Sequence, residues 1–114
     1  MSDPLLDARA MVLADLRARG LDTAAYVDVV DEVLRERRWW VDQWPEGAAY
    51  VAGQVAQDVQ DRLQDGAVPW PRCTACDEEE QHALHIEPDL GPDPVWTCGR
   101  VGVVAPLGGL AHAG

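Results

Sequence analysis

The chain contains no lysine, no asparagine and no phenylalanine, and Ser2 is its one serine. The lack of serine removes a serine nucleophile from consideration. The other absences follow the codon bias of a GC-rich genome and carry no physical meaning. Long apolar runs are also missing: none approaches the roughly 18–20 residues that cross a bilayer. The start, Met1-Ser2-Asp3-Pro4-Leu5, has neither a basic region nor a long apolar stretch behind it. The expectation is therefore no signal peptide, no membrane partner and a cytoplasmic location. The three cysteines are too few and odd in number for a disulfide framework, which leaves metal ligation or free thiols. No glycine-rich phosphate loop, no standout pair of catalytic carboxylates and no internal repeat is present.

Acid dominates what is there. Formal charge is −11, and all nine basic residues are arginine. Nonspecific nucleic-acid binding requires neutralised phosphates, so direct nucleic-acid binding is not expected. A solvated acidic surface accounts for the charge, with a basic partner or mimicry of a nucleic acid as alternatives. Apolar residues make up 47 % of the 114, enough for one globular domain or two small units sharing a core.

Residues 1–66 read as three helices. Asp3 caps the first and Pro4 occupies its opening position. Leu5, Leu6, Val12, Leu13 and Leu16 then share an arc of about 120°, and Gly20 suits the left-handed residue that ends a helix. The second helix begins at Asp22, with Leu21 and Tyr26 spaced as a hydrophobic staple. Tyr26, Val29, Val30, Val33 and Leu34 line its inner face, and Asp31 and Arg35 pair on its outer one. Trp39, Trp40 and Trp44 form an aromatic joint between the second and third helices, read as a buried joint against the C-terminal unit or as a partner-binding site. Pro45 opens the third helix. Ala48, Val51, Ala52, Val55, Ala56, Val59 and Leu63 share one face, the alanines permitting close approach, and Gly66 ends the helix.

At about residue 67 the 3.6-residue period stops. Short strands are expected at Ala83–Glu87, Val95–Cys98 and Val101–Ala105, the first two joined as a hairpin by the turn-rich segment 88–94. Residues 108–114 read as a frayed tail. The organisation is then a helical unit (1–66), a zinc-ribbon-like unit (67–107) and a flexible tail, an α+β fold in which three helices pack on a small β-hairpin.

The chemistry lies in the second unit. Cys73 and Cys76 form a CxxC, whose thiolates can chelate one soft cation from a tight turn. Cys98 returns beside them across the hairpin, and either His82 or His85 completes a tetrahedral set suited to Zn2+. A redox CxxC is disfavoured, because no βαβ pattern surrounds it. A segment of about 40 residues, rich in proline, rarely folds unaided, and a structural zinc contributes on the order of 10 kcal/mol. The run Asp77-Glu78-Glu79-Glu80 reads as solvated charge, and His112 as incidental.

Residues 70–110 resemble a group of small uncharacterised proteins from GC-rich bacteria. The likeness rests on Trp70-Pro71-x-Cys73, His82-x-Leu84, Trp96-x-Cys98 and Val104-Ala105-x-x-Gly108-x-Leu110. It implies His82 over His85 as the ligand and implies no activity. The functional expectation is a non-enzymatic interaction or regulatory module held by zinc, acting on a protein partner or a second copy. A zinc hydrolase is the alternative, requiring an open coordination position.

Overall fold

A computed structural model describes residues 3–63, 69–76, 82–88 and 90–112. Two sequence expectations, the helix end at Gly66 and the acidic run 77–80, lie outside them.

Helix α1 spans Pro4–Ala18 and starts as its residues dictate: the Asp3 carboxylate accepts from the Leu5 N–H at 2.9 Å. It ends at Gly20, whose φ of +72° lets the Leu21 N–H turn back to the Leu16 carbonyl at 2.8 Å. Leu5, Ala8, Val12 and Leu16 face the core, whereas Leu6, expected among them, is 59 % exposed. Helix α2 spans Ala24–Gln43, with Thr23 in the N-cap position but no side-chain capping bond. Asp22, the expected cap, is instead bonded by Arg17 Nε at 3.3 Å. Val30 and Val33 supply its buried face, so packing on the other helices, not intrinsic preference, holds this β-branched stretch. Asp31 pairs with Arg9 Nε across the α1–α2 interface at 2.9 Å, not with Arg35 one turn on.

The third helix is split. A 3-10 turn at Pro45–Ala49 precedes α3 at Val51–Leu63. The split sits where the tryptophans pack: Trp40 and Trp44 meet edge to face at 5.3 Å, and a Cβ on Gly47 would lie within 2.9 Å of both rings. This joint is made among the helices and not against the sheet, which corrects the buried-joint expectation, and Trp39 stands 67 % exposed. Arg37 stacks its guanidinium over Trp40 at 5.1 Å and forks onto Asp58 of α3 at 2.6 and 3.0 Å.

The C-terminal part forms a three-stranded antiparallel sheet in the order β1 (His85–Glu87), β2 (Val95–Cys98), β3 (Gly102–Pro106). Helix α3 runs beside β1. Gln60 donates to the Leu84 carbonyl at one end, and Gly53 approaches Pro88 and Pro94 at the other. Trp70 and Trp96 are both buried, edge to face at 5.4 Å, at the centre of a single core shared by helices and sheet.

Asp15 ties the two parts together. Its side chain is fully buried on α1, within the apolar stripe, and accepts from Trp96 Nε1 at 2.7 Å, the Gly108 N–H at 2.7 Å and the Leu110 N–H at 3.1 Å. Three donors offset the cost of removing a carboxylate from water. Residues 108–112, expected to fray, are thereby folded back on α1, with Leu110 buried in a short 3-10 turn, Leu110–His112.

Candidate metal centre

The segment 71–73 pairs with 82–84 in a short antiparallel bridge. The Cys73 N–H donates to the His82 carbonyl at 2.8 Å, and the Leu84 N–H to the Pro71 carbonyl at 2.8 Å. This bridge sets Cys73 beside His82. The β1–β2 register aligns His85 with Thr97, so the next step along brings Cys98 level with Leu84 and alongside the bridge. Cys76 closes the arrangement from the CxxC turn, its Sγ 3.7 Å from Cys73 Sγ.

Four donor atoms therefore converge from three separate stretches of chain. One ligand atom each from Cys73, Cys76, His82 and Cys98 lies within 4.8 Å of every other, and the group could hold a metal ion. Cys73, Cys76 and His82 are half-buried and Cys98 is buried. Sulfur ligands about 2.3 Å from a central ion sit just under 4 Å apart in a tetrahedron, which matches the Cys73–Cys76 separation. His82 presents Nε2 to the thiols, 3.1 Å from Cys76 Sγ, while Nδ1 lies 3.3 Å from the Ala83 carbonyl. With the proton on Nδ1 and donated to that carbonyl, Nε2 faces the thiols with the lone pair that would ligate an ion. His85, the other candidate, is outside the group. It belongs to the face of β1 that alternates away from the core and is exposed.

The backbone after β2 favours the thiolate form of Cys98. The Arg100 N–H approaches its Sγ at 3.4 Å. That N–H and the one of Val101 bring the thiol from 9.0 down to about 7, with the neighbouring cysteine thiols adding to the effect and burial opposing it. Thiolate, not thiol, binds a cation, so the backbone turn after β2 favours occupancy.

Residues 1–107 match the family described as Domain of unknown function (DUF8819), and the chain belongs to that family. No curated protein and no solved structure matches it. The family agrees with the expected kinship to an uncharacterised group and adds no activity. No helix among the described residues is long and apolar enough to cross a membrane.

Proposed function

We propose that the protein is a non-enzymatic, zinc-stabilised interaction or regulatory module. The observation that carries the reading is the convergence of Cys73, Cys76, His82 and Cys98 at mutual ligand distances within 4.8 Å. Three thiolates and one imidazole satisfy the four tetrahedral positions of Zn2+, a borderline-soft ion, and leave none for water or substrate. Zinc held this way supplies folding energy by joining the CxxC turn, the 82–84 bridge and the end of β2. A reducing compartment such as the cytoplasm keeps the thiols available to it. The charge of −11 disfavours direct nucleic-acid contact and leaves a protein partner or a second copy.

Native mass spectrometry of protein purified without chelator tests the reading. One zinc per chain is expected, and chelation should expose the amides of 71–76, 82–88 and 95–98 to hydrogen exchange. Less than about 0.2 equivalents of metal, or a zinc with an exchangeable water and a sheet that stays protected without it, refutes the structural role.

A further inference from the structure

Leu6 and Trp39 are 59 and 67 % exposed, although each lies beside an apolar stripe. Both border one groove of about 600 Å³ between α1 and α2, on the side of that helix pair where Trp39 is left uncovered. The wall from α2 has a helical spacing of its own. Leu34, Arg35, Arg38 and Trp39 recur at three- and four-residue steps, facing Leu6 and Arg9 of α1. Half-buried Leu34 joins exposed Leu6 and Trp39 as the apolar lining, and three arginines share the rim. Tryptophan and arginine are the side chains most enriched where binding energy concentrates.

The unused guanidinium donors favour one kind of occupant. Three of the nine arginines of a chain with net charge −11 gather here. Arg9 uses only Nε on Asp31, Arg38 uses one Nη on Asp3, and Arg35 has no ion pair or hydrogen bond among the described residues. Asp31 and Asp42 are the acids of the lining and Asp3 holds Arg38 from beside it, so the groove is close to neutral and offers an acid N–H donors rather than net charge. Most guanidinium donors of the rim are therefore free to meet carboxylates.

We infer that this groove docks an amphipathic helix from a partner protein, its apolar face on Leu6, Leu34 and Trp39 and its flanking acids on Arg9, Arg35 and Arg38. Two parallel or antiparallel helices leave a groove that fits a third, and anchors at three- and four-residue steps are how such a helix reads it. The inference rests on the reading of the protein as an interaction module, but not on the metal.

The test is a titration of the full zinc-loaded chain, observed by amide NMR. The probes are two helical peptides of about sixteen residues, roughly 24 Å long, with the same leucine stripe flanked by glutamate in one and lysine in the other. The glutamate peptide should shift amides around Leu6, Arg9, Arg35 and Trp39 and bind at least about fivefold more tightly at low salt. Arg35→Glu and Trp39→Ala should each weaken it by at least about fivefold with an unchanged melting temperature, since both side chains are exposed. No shift at millimolar peptide, or equal binding of both peptides, overturns the inference. Shifts confined to another face overturn the groove while leaving the module reading standing. Sedimentation as a dimer with the Trp39 indole protected identifies a second copy as the occupant and overturns the partner-helix assignment.

Discussion

Replacing Asp15 by alanine isolates the bond network that joins the helices to the sheet. The carboxylate is fully buried and serves three N–H groups, at 2.7, 2.7 and 3.1 Å. Alanine leaves all three without an acceptor. Each orphaned buried donor costs about 1–3 kcal/mol, but water that enters the vacated space at the half-buried Gly108 reduces that toward the lower end. Relief of the carboxylate's own desolvation recovers part of the remainder. The expected net loss is about 3–4 kcal/mol, a large share of the roughly 5–15 kcal/mol that holds a domain together. At this chain length it corresponds to a fall in melting temperature of about 10–20 °C. Asp15→Asn, which retains one accepting oxygen but turns an NH2 toward a donor, should lose about half as much. Urea unfolding of the wild type, both variants, Trp96→Phe and the Asp15→Ala/Trp96→Phe double variant gives the coupling directly. A loss below about 1 kcal/mol for alanine, or no coupling with Trp96, refutes the argument that these donors depend on the carboxylate.

Three further outcomes are expected. Cys98→Ser and His82→Ala should abolish retention of one zinc, whereas His85→Ala should leave it intact, since His85 is exposed and outside the cluster; inductively coupled plasma analysis of the purified variants decides it, and loss of metal with His85→Ala alone would reverse the ligand choice. Gly108→Ala should destabilise by about 1–2 kcal/mol in thermal unfolding, because φ is +88° there and the new Cβ would meet Met11 at 3.0–3.3 Å; an unchanged melting temperature counts against the described turn. The Asp3 carboxyl is held below its ordinary 3.8 by Arg38 and by the Leu5 N–H. A carboxyl depressed on folding contributes stability above its unfolded value and loses that contribution as pH falls through the lower folded one, so the Leu5 amide shift should titrate with a midpoint below 3.8, and a midpoint at or above that value contradicts the cap.

Local chemistry was readable where it acts within a few residues. Asp3 and Pro4 open α1, Gly20 closes it with the expected left-handed turn, and the proline-rich segment joins β1 to β2. Strand β2 falls on Val95–Cys98 as its residues suggest. The three cysteines were legible from their spacing, which left His82 and His85 open; the resemblance implied His82, and His82 is the histidine whose ring lies within 4.8 Å of the thiols. What depends on tertiary neighbours was not legible. Whether Asp31 turns to Arg35 or to Arg9 depends on how close α1 comes, and Asp22, which reads as a cap, is engaged by Arg17 one residue before the N-cap position. Leu6 sits beside Leu5, and a helical wheel assigns both to one broad face; only the angle between α1 and its neighbours separates them. Asp15 left less sign, since on the wheel it falls outside the arc of Leu5, Val12 and Leu16, on the Ala8 side, and only tertiary packing buries it. An acid in that position needs donors from elsewhere in the chain, and the sequence does not say where they are.

The two sides of the small sheet are unequal. Along β1, Gln60 of α3 bonds to the Leu84 carbonyl, the Pro71 carbonyl takes the Leu84 N–H, and Gly53 brings α3 against Pro88. Beyond β3 no strand is paired among the described residues, and Val101 and Val103 are 50 and 66 % exposed there. Two chains meeting β3 to β3 would bury Val103 of each against the other and close that edge of both sheets by an isologous pairing.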